Sequence, residues 1–144
     1  MQTLRKGDSV SLFKPVKIAK IIKFSFFYTV GYAMNASERF ELKYENEEYI
    51  AQVKLYGIAE EDAIKYKVPE NFEQELEKLL KEYSVNKWDG FKKSDKRVLD
   101  GNSFDLYVKM EEDNRIDASG YMVWPNNYKE FKEKVVELFK EHMV

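Results

Sequence analysis

The 144-residue sequence has no cysteine, one histidine, three prolines and six glycines. Without cysteine there is no disulfide, no thiolate nucleophile and no cysteine-ligated metal. The lone histidine, His142, falls in what reads as the last turn of a helix. Histidine triads and histidine-rich metal sites therefore have nothing to build on. The glycines are scattered, and none forms a G-x-G-x-x-G or Walker A run, so a phosphate-cradling loop is not expected. So little glycine and proline argues against low complexity. No stretch approaches the roughly 20 apolar residues of a membrane span.

What is present points to one folded domain. Hydrophobic residues make up 44% and aromatic residues 15%, with ten Phe, ten Tyr and two Trp. Disordered chains are poor in aromatics, and a chain of this length can bury about two-thirds of its unfolded surface. The net charge of −2 is unevenly spread. Residues 1–30 carry Arg5, Lys6, Lys14, Lys17, Lys20 and Lys23 against Asp8 alone. Residues 1–19 read as an irregular arm and residues 20–144 as a single domain. The start is not read as a signal peptide, because Phe24, Phe26, Tyr28, Val30 and Tyr32 alternate like a strand. A cytoplasmic location is expected. Asn35-Ala36-Ser37 matches the glycosylation triplet, a pattern common by chance.

The hydrophobic pattern predicts strands at about Lys20–Tyr32, Arg39–Tyr44, Tyr49–Tyr56 and Ala63–Val68. Phe72, Leu76, Leu79, Leu80 and Tyr83 then trace a helical stripe, with Asn71 and Gln74 at capping-box spacing. Residues 84–102 read as a long, turn-rich connection. Strands at Ser103–Met110 and Arg115–Val123 follow. A second helix is expected over Asn127–His142, with Asn127 and Glu130 at the same capping spacing. The fold class is α+β: an antiparallel sheet of about five to six strands with two amphipathic helices packed on one face. The matching starts Pro69-Glu70-Asn71-Phe72 and Pro125-Asn126-Asn127-Tyr128 leave room for a tandem ββα repeat. With the prolines aligned, Leu79, Leu80 and Tyr83 fall on Val135, Val136 and Phe139.

The last hairpin permits a register argument. A loop of Glu112-Asp113-Asn114, with Asn114 left-handed, sets Met110 opposite Ile116, Val108 opposite Ala118, Leu106 opposite Gly120 and Phe104 opposite Met122. All the apolar positions then share one face. The other face pairs Lys109 with Asp117, Tyr107 with Ser119 and Asp105 with Tyr121. Asp105, Tyr107, Ser119 and Tyr121 on that face are the candidate ligand or partner surface, since tyrosines join apolar area to a hydrogen-bonding tip.

Other chemistry is thin. Asp89, Asp95, Asp100 and Asp105 lack calcium-loop spacing; Asp89 and Asp100 each precede glycine, as turn residues do. Neither a metal nor a cofactor is expected. Lys87, Lys92, Lys93, Lys96 and Arg97 surround Trp88 and Phe91. Such interleaving suits single-stranded nucleic acid, but Asp89 and Asp95 dilute it, and nucleic acid is disfavoured as a partner. Trp88, Phe91 and Trp124 are read as structural anchors.

Lys87-Trp88-Asp89-Gly90-Phe91, Val98-Leu99-Asp100-Gly101, Ser103-Phe104, Ala118-Ser119-Gly120-Tyr121-Met122 and Trp124-Pro125 together resemble a family of small uncharacterised bacterial proteins. The resemblance spans roughly residues 22–140 and implies a bacterial, single-domain protein. It brings no activity and no functional residues. The expected function is a non-catalytic domain binding a protein or a small molecule. The alternatives are a hydrolase-type enzyme using converging carboxylates, or weak nucleic-acid binding through the basic arm and residues 87–97.

The anchor reading gives a stability prediction. Trp88→Ala should cost about 3–5 kcal/mol and lower the thermal midpoint by many degrees. Phe91→Ala should cost less, and Lys92→Ala with Lys93→Ala should barely register in the same melts.

Overall fold

The computed structural model describes residues 15–143. Seven strands form one sheet: β1 (Ile21–Thr29), β2 (Glu38–Glu45), β3 (Glu48–Leu55), β4 (Ile64–Val68), β5 (Lys92–Ser94), β6 (Ser103–Met110) and β7 (Arg115–Tyr121). Helix α1 (Glu70–Glu82) follows β4, and α2 (Tyr128–Glu141) follows β7. The strand order is β4-β3-β2-β1-β6-β7-β5. The fold is thus α+β with two helices, as expected, but the sheet has one more strand than expected and is mixed. β5 runs parallel to β7. It is three exposed polar residues long, too short and too polar to show alternation.

β1 occupies the centre, paired with β2 on one side and β6 on the other. Its alternation explains why. Phe24, Phe26 and Tyr28 are buried, while Ser25, Phe27 and Thr29 face the other way and are only partly covered. Both helices pack on the face of Phe24 and Phe26. Phe139 of α2 lies 6.0 Å from Phe24, 5.4 Å from Phe40 and 5.0 Å from Phe72 of α1, between ring centroids. Phe131 meets Phe26 at 5.9 Å. These edge-on and stacked rings suit the aromatic quadrupole.

The two hairpin–helix units differ in layout. β2–β3 steps outward from β1 to one side, and β6–β7 steps outward to the other. β2 and β6 are both antiparallel to β1 and so run the same way. A rotation that overlays one hairpin on the other turns its helix to the opposite face. The buried stripes also match differently from the prolines. Phe72, Leu76 and Leu80 of α1 correspond in burial to Phe131, Val135 and Phe139 of α2, three residues later than the Pro69–Pro125 alignment gives.

Three local expectations are corrected. Asn71 lies inside α1, whose N-cap is Pro69 with no side-chain cap bond. Asn127 does cap α2 by position, but it is left-handed (φ 70°) and its amide donates to the Tyr83 carbonyl at 3.0 Å instead. In the last hairpin Val108 faces Ile116, Leu106 faces Ala118, Phe104 faces Gly120 and Asp105 faces Ser119. The loop is Glu111-Glu112-Asp113, with Glu112 and Asp113 left-handed and Asn114 extended. Met110 N donates to the Asn114 carbonyl and closes it. The register moved by two residues, so every side chain kept its face.

Of the expected arm, residues 1–14 lie outside the described residues. Val16, Ile18 and Ala19 pack against the core, and Val16 N donates to the Asn86 carbonyl at 3.0 Å.

Phe139→Ala should destabilise the protein by about 3–5 kcal/mol, read as a lower urea midpoint. Lys134→Ala on the solvent side of the same helix should stay within about 0.5 kcal/mol.

Candidate functional site

The sequence motifs converge on one end of the sheet, and most of their polar atoms hold the 84–102 connection in place. Asp89 Oδ1 accepts the Asp117 N–H on the outer edge of β7 at 2.9 Å. Gly90, with φ 86°, a conformation that suits glycine, donates its N–H to the Asp117 carbonyl at 3.0 Å. Ser119 N then donates to the Phe91 carbonyl at 2.8 Å, and β5 begins. Trp88 is 4% exposed; its Nε1 donates to the Asn126 carbonyl at 3.2 Å, and its ring stands edge-on to Phe131 at 5.3 Å. Phe91 is half-buried against Phe104. Gly120 is obligatory, since a Cβ there would lie 2.2 Å from the Val123 carbonyl oxygen and 2.7 Å from the Phe104 ring. Trp124 is 36% exposed, with its ring 6.0 Å from Tyr128.

The candidate face is the sheet surface that no helix covers. Asp105 and Ser119 are direct cross-strand partners and, with Tyr121, Lys92 and Ser94, line a shallow open depression of about 300 Å³. Tyr107 sits one row away, opposite Asp117. Tyr121 is committed: its hydroxyl accepts the Gly101 N–H at 2.7 Å and donates to the Val98 carbonyl at 2.9 Å. Desolvation holds the Asp105 carboxyl above its usual range, against the pull of Arg39 and Lys92 and with Asp117 adding to the rise.

Charge on this face is arranged in rows. Lys67, Lys43, Lys23, Lys109 and Arg115 follow one another across the strands, with Ile50 interposed. Like charges directly opposed are unfavourable in a sheet. The turns at the same end answer them: Lys67 meets Glu48 at 3.3 Å and Arg115 meets Asp113 at 3.7 Å. That compensation weakens the case for a polyanion on the row.

Two larger concavities lie elsewhere among the described residues. The first, of about 510 Å³, sits between the end of α1 and the segment entering α2. It is lined by Tyr83, Ser84, Lys87, Trp88, Phe91, Lys93, Pro125, Asn126 and Asn127. Lys93 Nζ stands 5.2 Å from the Phe91 ring centroid. The lining holds two lysines and no acid, although acids outnumber lysines and arginines 26 to 24 in the whole sequence. Desolvation first, and the influence of the Glu82 carboxylate second, push the Tyr83 phenol upward. The second, of about 670 Å³, is a largely apolar groove of Val53, Leu55, Ile58, Ala63, Ile64 and Met143, lined also by Asp62 and by the Glu38–Lys140 ion pair (2.9 Å). Nothing in the residue pattern marks this groove. Leu55 and Ile64 alternate as core residues do, and only the reach of the helices leaves each 47% exposed.

The buried carboxylates, Glu73 and Glu38, are each engaged by groups of the chain itself. Glu73 is 2% exposed and its Oε2 accepts the Ile21 N–H at 2.9 Å, beside an irregularity in the β1–β6 pairing between Ile21 and Lys23. Tyr49 donates its hydroxyl to the Ile21 carbonyl at 2.9 Å. Both backbone groups of Ile21 are therefore met by side chains, as burial demands. Burial first, and a hydrogen bond to Glu77 second, raise the Glu73 pKa to about 8. Glu38 is likewise enclosed, accepting from the Tyr28 hydroxyl and pairing with Lys140. Among the described residues, no three histidine, aspartate or glutamate side chains are grouped to hold a metal, and no helix is long and apolar enough to cross a membrane. Neither protein-family models nor curated proteins give a match for this chain.

Glu73 sets a pH dependence with a definite sign. Its folded pKa is above the ordinary value of 4.5, so between 4.5 and about 8 the folded state holds a proton that the unfolded state has released. Stability must then fall as pH rises through that window. Urea denaturation at its two ends should show wild-type protein less stable at the alkaline end. Glu73→Gln should flatten this difference.

Proposed function

We propose that the protein is a non-catalytic binding domain whose ligand is a small organic anion with a flat, apolar body. The site is the cleft between α1 and the entry to α2. The carrying observation is its lining: three aromatic side chains and two lysines, with no carboxylate or imidazole. Its volume of about 510 Å³ falls within the usual 300–1,000 Å³ of small-molecule sites. Aromatic floors take flat apolar bodies, and a lysine is a mobile point charge for a carboxylate or phosphate. Ser84, Asn126 and Asn127 add neutral hydrogen-bonding groups at the rim.

Support also comes from the economy of the motif. Trp88, Asp89 and Gly90 are engaged in fixing the connection, whereas Lys87 and Lys93 make no salt bridge among the described residues. A frame fixed by hydrogen bonds and presenting two cations without a salt bridge among the described residues is what an anion site requires. The Asp105–Tyr121 depression is the lesser candidate for the same role, because it is shallow and holds an acid.

Titration with benzoate, indole-3-acetate and adenosine 5′-monophosphate tests this by calorimetry. At least one anion should bind more tightly than its neutral counterpart (benzamide, indole-3-acetamide or adenosine). Lys87→Ala with Lys93→Ala should weaken it by about tenfold, or ~1.4 kcal/mol. Equal binding of anion and neutral counterpart, or an unchanged affinity in the double variant, would overturn the proposal.

A further inference from the structure

The apolar groove adjoins a free sheet edge, and the two features together define a second docking surface, independent of the cleft. β4 is terminal in the strand order. Among the described residues, Ile64–Val68 make no backbone hydrogen bond outside the β3 ladder. An edge strand of this kind offers a row of outward N–H and C=O groups. Its side chains alternate. Ile64 faces the groove, with Leu55 and Ile58 beside it, while Lys65 and Lys67 are exposed on the opposite sheet face.

We infer that β4 accepts an extended segment of a partner protein, in which aliphatic residues alternate with acidic ones. In an added strand, successive side chains fall on opposite faces. One set would then enter the groove of Leu55, Ile58 and Ile64. The other would lie beside Lys65 and Lys67. Main-chain hydrogen bonds to β4 supply affinity, and the two side-chain sets supply specificity. Of the nearby acids, Asp62 lines the groove and Glu60 is taken up by Gln52 at 3.2 Å and Lys54 at 3.4 Å. The Lys67–Glu48 pair is 75% and 48% exposed, and exposed pairs of this sort contribute little.

The same lysines argue against a second copy of this chain as the occupant. Antiparallel pairing of two β4 edges would bring the lysines of both copies together on one face. Lysine on an edge strand is a known bar to self-association, and here it converts the edge from a general template into one that selects acidic strands.

The test uses the full chain and a short capped peptide alternating isoleucine with glutamate. Two comparison peptides carry lysine for glutamate, or a central proline. The glutamate peptide should bind one-to-one, slow amide exchange at residues 64–68 and lose about tenfold in affinity in Lys65→Glu with Lys67→Glu. That variant alters exposed residues only and should melt like wild type. The lysine peptide should bind the variant better than it binds wild type. The inference is overturned by failure of the glutamate peptide to bind, by equal binding of the proline peptide, or by binding that leaves the β4 amides unprotected. It is equally overturned if the chain sediments as a dimer that Lys65→Glu with Lys67→Glu dissociates. Lys87→Ala with Lys93→Ala should leave peptide binding unchanged, which separates this surface from the anion cleft.

Discussion

Phe139 is the contact on which the arrangement turns. One ring on α2 touches β1 through Phe24, β2 through Phe40 and α1 through Phe72. A close-packed interior admits few such arrangements. Placing Phe139 there fixes α2 over the middle of the sheet and draws α1 against it. The covering is then used up at the centre. β3 and β4 keep apolar residues on the helix side that neither helix reaches, which is why Leu55 and Ile64 remain exposed. The groove is thus a by-product of where the aromatic core sits.

The strands and helices were legible because their periods are strong. β6 and β7 alternate throughout between buried and more exposed positions, β1 does so from Phe24 onward, β2 over Glu38–Leu42 and β3 over Tyr49–Ala51, and both helices carry a narrow apolar stripe. The hairpin register shows the limit of such patterns. A slip of two residues preserves every face, so alternation cannot distinguish Leu106–Gly120 from Leu106–Ala118. The left-handed pair Glu112–Asp113 decided it, and although aspartate visits that conformation, glutamate is not a usual choice for it. The caps were misread for a related reason. Asn71 and Asn127 both favour helix starts, but Asn127 uses its side chain to tie α2 to α1 rather than to cap its own helix. β5 was invisible because it is held by backbone hydrogen bonds to β7, which leave no trace in side-chain chemistry.

The candidate surface was legible as a face and not as a site. Asp105, Tyr107, Ser119 and Tyr121 do share the uncovered side of the sheet. The cleft could have been found in part, since Lys87, Trp88, Phe91 and Lys93 are close in sequence. What the chain order hides is that Tyr83 and residues 125–127 complete it, joined by the Asn127–Tyr83 and Trp88–Asn126 hydrogen bonds. The motif therefore serves two ends. Its buried half holds a long connection against β7, and its outer half shapes a cavity.

The central position of β1 carries a cost during synthesis. Its neighbour on one side, β2, is the next strand made, but β6 on the other side comes much later. Thr29 and Ser103, which pair in the finished sheet, are 74 residues apart. At roughly 5–20 residues per second, that gap takes about 4–15 s to translate. Throughout that interval the nascent sheet has an unpaired edge along β1, and Phe24 and Phe26 lack the rings of α2 that cover them. Open hydrophobic edges of this kind are where growing chains aggregate or exchange elements. Two polypeptides emerging side by side could trade their β6–β7–α2 segments across this edge and finish as an interlocked pair. The ribosome, rather than the finished protein, is where this topology is most exposed to error.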